Sequence, residues 1–345
     1  MHRSRSPFII VKKGQVLAKL KHRKPGVEGK DVHGAPLPFG IVHPEGVTGG
    51  TNTVTTDNKI IAEISGQLIE NGKELSVQEN LVIKGSVGYS TGNIVFPGDV
   101  SIDGPVMDGF KIHSGGSLVI KQTLDLTEVV TKGDIVVSGG ILGRGSGLLK
   151  SGGGIKTLFI ENCHVAARKS IYVESGIINS RIFTLGSVEM GEKGKIMGGD
   201  IYAVNGIKTG GIGKKGGKST QIHCGIDFTV QQEKEKCNKQ LLSISAKLRR
   251  LQELMDDPVP DSELQEKIKE MYVNLENERQ KISKRISELM VSINKDENAV
   301  VEVLGEIAPG TLIEICQIAF YTGEPLKKIR IRLDKSLGKL LTESM

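Results

Sequence analysis

The sequence predicts a mainly β chain: a β-solenoid interrupted by an antiparallel coiled-coil hairpin and preceded by a small β domain. Three observations carry this reading. Glycine contributes 44 of 345 residues while aromatics make up 4% and tryptophan is absent, a composition of many tight turns and few bulky core residues. A short strand motif recurs about every 17 residues through the middle of the chain. A segment of different character, residues 229 to 294, keeps heptad spacing. From these the chain divides into residues 1–85, 86–228, 229–298 and 299–345.

Residues 1–85 contain short alternating strands with frequent glycine, and "VKKGQVLAKL" has the strand-turn-strand pattern of a barrel-sandwich module. Lys12 and Lys13 lie just before Gly14 rather than at the tip of a hairpin with suitable flanks, so a β domain without a carried cofactor is expected. The net charge of +6 is concentrated here: residues 1 to 50 hold nine Lys/Arg against three Asp/Glu, and the remainder is balanced at 37 against 37. This segment lacks interleaved aromatics for stacking bases, so it reads as a solvated basic face and not as a nucleic-acid surface.

From residue 98 the motifs "GDVSI", "GSLVI", "GDIVV", "KSIYV", "GSVEM" and "GDIYA" place a first apolar position at Val100, Leu118, Ile135, Ile171, Val188 and Ile201, with Ile155 filling the gap after Ile135. The steps are 18, 17, 20, 16, 17 and 13. A solenoid tolerates such variation because insertions enter turns while strands stack, each coil adding about 4.8 Å. Asn162 and Asn179, 17 apart, are expected to stack in adjacent coils and to bond along the ladder.

Residues 229 to 294 open with "TVQQ", and "SELQ" follows after "DDPVPD". Both are capping boxes, with Thr229 and Ser262 as caps and Gln232 and Gln265 reaching back. Val230, Cys237, Leu241, Ile244, Leu248, Leu251 and Met255 keep heptad spacing in the first helix; Leu264, Ile268, Met271, Leu275, Ile282 and Leu289 do so in the second. Lys247, Arg250, Glu263, Lys267, Glu270 and Lys284 then fall on the outer faces and are the candidate partner-binding residues. Beyond the hairpin, residues 299–345 alternate again, with turns at Pro309-Gly310 and Gly323-Glu324-Pro325, and are expected to rejoin the solenoid and cap its end.

Searching for chemistry yields little. "GGIGKKGGKST", residues 210 to 220, suggests a phosphate loop, but the first glycine of that motif falls on Ile212 and a strand, not a helix, follows. Asp99, Asp103, Asp108, Asp125 and Asp134 are the acidic residues a β-helix enzyme would need; aspartate equally serves turns. The pairs Cys163-His164 and His223-Cys224 are strand neighbours on opposite faces, so no metal site is expected, and no Ser/His/Asp arrangement has local support. Four cysteines without a close framework suit a reducing compartment, and "FIIV" is too short for a signal or membrane segment, so a cytoplasmic protein is expected.

The stretches "STGNIVFPGDVSIDGPVMDGFKIHSGG", "GGILGRGSGLLKSGGG", "FIENCHV" and "IGKKGGKSTQIHCGID", followed by the coiled coil, resemble the flagellar assembly protein A family. The likeness extends over nearly everything from about Val11. "GDIVVSGGILGRGSG" is also similar to the β-helical domain of the Min-system division inhibitor. Members of the first family generally carry further sequence before this point, whereas this chain enters with "MHRSRSP", which reads as a shortened member or a truncated frame. The resemblance implies a polymer-forming right-handed β-helix and a non-enzymatic scaffold or adaptor in flagellar assembly or its regulation. The partners would be proteins, met through the arm or the β-helix faces; because two-fold dimers are the commonest closed assemblies, a homodimer is the simplest oligomer expected, and the alternative function is a β-helix enzyme acting on a polysaccharide or acyl group.

Overall fold

The structure, a computed structural model, describes residues 6–21, 26–38, 46–214, 216–256 and 262–345, with the backbone alone at Ser262. It divides into two compact units: Met1–Gly143 with Gly147–Gly153, and Arg144–Ser146 with Gly154–Met345.

The first unit begins with short antiparallel strands. Ile10–Val11 pairs with Gly66–Asn71, which pairs with Glu74–Gln78; Lys59–Ala62 lies between Val16–Lys19 and Thr53–Thr56. Asp57 and Asn58 both take positive φ in the two-residue loop before Lys59, where the chain twist favours a primed turn. Val11, Ala62 and Val77 form the buried centre, with Leu17, Ile64 and Leu68 against it. From Leu81 onward the pairing becomes parallel, coil over coil. Leu81, Val100, Leu118 and Ile135 stack in one column, Val106, Leu124 and Ile141 in a second, and Ile94, Ile112, Val129 and Leu149 in a third. All are buried. The turns "GRGSG" enlarges accommodate their extra residues where the register shifts between Leu126 and Glu128.

The second unit repeats the three columns. Ile155, Ile171, Val188, Ile207 and Val301 form the first; Ile160, Ile177, Ile196, Ile212 and Ile307 the second; Val165, Ile182, Ile201, Ile222 and Ile313 the third. One aliphatic side chain per face per coil, each contributing about 1.5–3 kcal/mol on burial, is how each unit acquires its core with few aromatics. The turn averages about 19 residues, longer than the sequence period, and Ile201 is the reason for part of the difference. It belongs to the third column, paired with Ile182, while the first column continues from Val188 to Ile207. The contracted 13-residue coil therefore does not exist. Asn162 and Asn179 do lie in register, between the pairs Glu161/Ile178 and His164/Arg181. Both take positive φ, as does Gly198 at the same place one coil on. Asparagine and glycine tolerate this left-handed corner best.

Two helices, α1 (Phe228–Asp256) and α2 (Ser262–Ser292), intervene between Cys224 and Val300. Asp227 caps α1, not Thr229: its carboxylate accepts from the Thr229 N–H at 2.9 Å and the Thr229 hydroxyl at 2.6 Å. A carboxylate immediately before the first helical residue satisfies an orphan N–H and meets the positive end of the helix dipole. The Ser262 cap and the "DDPVPD" connection beyond Asp256 lie outside the described side chains. Of the heptad residues, Cys237, Ile244, Leu248, Ile268 and Leu289 are buried, whereas Met255, Leu264 and Met271 are exposed. The base is tied where Asp227 N–H donates to the Ile293 carbonyl at 3.0 Å and Ile226 bridges Asn294. Val300–Ile307 and Leu312–Ile315 then lie parallel on the preceding coil, and Ile318–Tyr321, Leu326–Asp334 and Lys339–Ser344 follow antiparallel.

Candidate functional site

The outward positions beside the third column hold an unusual ladder. Phe183, Tyr202, His223 and Glu314 each follow the inward isoleucine of their strand and stand in register on four successive coils. Phe183 and Tyr202 stack at 4.9 Å between centroids, and Tyr202 and His223 at 4.3 Å. Such pairs contribute about 0.5–1.5 kcal/mol beyond their buried area. Phe228, the first residue of α1, packs on Phe183 at 5.2 Å, so the ladder seats the root of the hairpin.

Beside it runs a row of charge. Arg181 Nε lies 3.1 Å from Asp200, and His223 Nδ1 lies 2.6 Å from Glu314 Oε2. His223 is buried and its Nε2 has no hydrogen-bond partner among the described residues. Burial, and then the charges of Asp200 and Glu314, push the Tyr202 hydroxyl above its ordinary range. Arg181, Phe183, Asp200 and Tyr202 meet Phe228, Gln231, Gln232 and Glu235 of α1 around a recess of about 330 Å³. Aromatic rings, carboxylates and amides border this recess.

The residues expected to bind partners lie along both helices, all exposed. Among the described residues one ion pair joins two of them, Lys267 to Glu263 at 2.6 Å. Lys247 and Arg250 stand on α1, and Glu270 and Lys284 on α2 with that pair. Sequence reasoning missed the pair that crosses between helices, Arg285 to Glu233 at 2.8 Å, with Glu288 also on Arg285.

The glycines of residues 210 to 213 serve coil packing. A Cβ on Gly210 would meet the Glu192 carbonyl oxygen, and one on Gly213 would come within 2.9 Å of Ala308 Cβ. The Gly211 and Gly213 N–H groups are already donated to Gly194 and Ile196, leaving them no role in cradling an anion. The aspartates are likewise engaged within the fold: Asp99 accepts from the Ser117 N–H at 2.7 Å, Asp103 pairs with Lys121 and Asp108 accepts from Thr127. Asp134 N–H donates to the Ser117 hydroxyl, and Asp125 is half-buried on its strand. Cys163 and Cys224 are buried. Among the described residues no three His, Cys, Asp or Glu side chains are placed to hold a metal ion, and no helix is long and apolar enough to cross a membrane.

Stacked parallel coils interrupted by a helical hairpin define a β-solenoid protein with an inserted arm. The family model described as the flagellar assembly protein A beta solenoid domain matches residues 79–337, and that of the flagellar assembly protein A N-terminal region matches residues 2–73. The chain belongs to the flagellar assembly protein A family. Neither the curated proteins nor the solved structures contain a match to it.

Proposed function

We propose that this chain is a non-catalytic scaffold or adaptor in flagellar assembly or its regulation, working in the cytoplasm and binding protein partners through its helical arm or the solenoid faces. The observation that carries the reading is the inserted hairpin. Its 29- and 31-residue helices, about 44 and 47 Å long at 1.5 Å per residue, contribute a charged outer surface that the coil core does not require. Membership of the family supports the flagellar setting. On this reading the strands of residues 299–345 and the β domain of residues 1–85 act as caps, limiting open-ended stacking. A closed dimer is the simplest assembly.

The test is a pull-down from native lysate with intact chain and with residues 230 to 294 replaced by a short Gly/Ser linker. The shortened protein should keep its β circular dichroism and lose the partner. Retention of the same partner would assign recognition to the solenoid faces.

A further inference from the structure

We infer that the free edge of the last strand, Lys339–Ser344, pairs antiparallel with the same edge of a second copy of this chain, the two-fold axis passing beside Leu341. The inference rests on the closed dimer of the scaffold reading and gives that dimer its surface.

The edge is open. Lys339–Ser344 pairs on one side with Leu326–Asp334, and among the described residues no strand pairs with its other side. The Met345 N–H donates to the Lys328 carbonyl at 2.8 Å. Bonded pairs alternate along an antiparallel ladder, so Glu343, Leu341 and Lys339 also direct their backbone groups toward Leu326–Asp334. Leu340, Thr342 and Ser344 direct theirs to the open side. Such a row is a template for a further strand, and this one has neither the proline nor the inward-pointing charge that blunts an edge. Its inward side chains include Thr342 and Ser344, opposite the buried Ile331 and Ile329.

The side chains select the occupant. Lys339, Leu341 and Glu343 share the outer face of the strand, basic before the leucine and acidic after it. Two strands bonded through Leu340 and Thr342 and centred on Leu341 set Lys339 opposite Glu343 of the second copy, twice over, with Leu341 opposite its counterpart. These are non-bonded positions, where facing side chains approach most closely. Sliding one strand by two residues, the smallest shift that keeps the backbone groups facing, sets leucine against a charge. Among the described residues Lys339 has no ion pair, and Arg332 holds Oε1 of Glu343 at 2.7 Å, leaving Oε2 to the incoming ammonium. A strand that pairs with itself requires this inverted placement of charge, and another protein's strand does not. The two-fold contact also occupies both edges, so the sheet ends there.

The experiment is sedimentation equilibrium of the full chain, which should show a dimer that dissociates in the micromolar range. Lys339→Glu and Glu343→Lys, both on the outer face of the strand, should each keep the circular dichroism. Each should weaken the dimer at least about tenfold, since it turns two attractive pairs into repulsive ones. Mixing the two variants should restore dimers, because the mixed pair sets opposite charges together at both contacts. Leu341→Cys, which changes no charge, should form an intermolecular disulfide under copper phenanthroline, and Leu337→Cys, in the exposed turn before the strand, should not. A parent that stays monomeric, a dimer untouched by both charge variants, a mixture that stays monomeric, or equal cross-linking at the two cysteine positions would each overturn the inference. The pull-down reads the arm, so a monomer that still retrieves its partner sinks the inference alone, and a dimer that retrieves none sinks the scaffold reading alone.

Discussion

His223 and Glu314, 91 positions apart in the chain, meet at 2.6 Å across the point where the hairpin leaves and returns. The contact joins the coil before the insertion to the coil after it. Removing the carboxylate leaves a buried ring nitrogen without its partner, which costs about 1–3 kcal/mol. Glu314→Ala should therefore lower the urea midpoint by that equivalent, and Glu314→Gln, which keeps an acceptor, by less. Equal losses for the two variants would show that the hydrogen bond is immaterial.

Asn179 holds φ at 45°, a conformation that disfavours a Cβ without a compensating local bond. Asn179→Ala should destabilise by about 1 kcal/mol and Asn179→Gly by appreciably less. Thermal unfolding of the two variants decides it; the opposite order would mean that the amide, and not the corner, matters at this site.

Burial pushes the Cys316 thiol up to about 11, aided by the carboxylates of Glu297 and Asp296. The folded chain thus holds its proton where the unfolded chain, with a thiol near about 8.5, has begun to lose it. The resulting stability is fully present below the unfolded value and disappears as pH rises through the folded one. Between about pH 8.5 and pH 11, the stability of the native chain should fall more steeply than that of Cys316→Ser. Parallel pH profiles would refute the assignment.

Gly210→Ala should destabilise the second unit by about 1–3 kcal/mol, because the new methyl overlaps the neighbouring coil at Glu192. Lys218→Ala should leave stability within about 0.5 kcal/mol. Calorimetry should give no ATP or GTP binding for either variant or the parent. Micromolar binding lost on Lys218→Ala would reinstate a phosphate site.

The stacking of coils and the presence of the hairpin were legible because each rests on a strong period. The ladder at the root of the arm was equally present in the text, as "RIFT", "DIYA" and "QIHC", each with an aromatic or imidazole ring directly after an isoleucine. Placing Ile201 in the first column concealed it, since alignment of the three motifs depends on steps of 19 and 21 residues, not 17. Strand registry depends on turn lengths, and glycine-rich turns leave no periodic mark. The cap at Asp227 was hidden similarly: Thr229 matched a cap motif, but where Gly225 turns the chain into the helix decides which residue reaches the first N–H groups. The recess joins side chains of a strand face to those of a helix, a meeting that no local pattern records.

Most coils can assemble as the chain emerges, each on the one just completed, since a neighbour lies only some twenty residues back. The final coil differs. Val301 seeks Ile207 and Ile313 seeks Ile222 across the whole intervening hairpin, so a loose insertion would hold these surfaces apart. Folding of α1 against α2 brings Ile226 and Asn294 together and turns a distant closure into a short one. The expected outcome is kinetic: a mutation that loosens the helices should delay docking of the last coil while the earlier coils form at their usual pace.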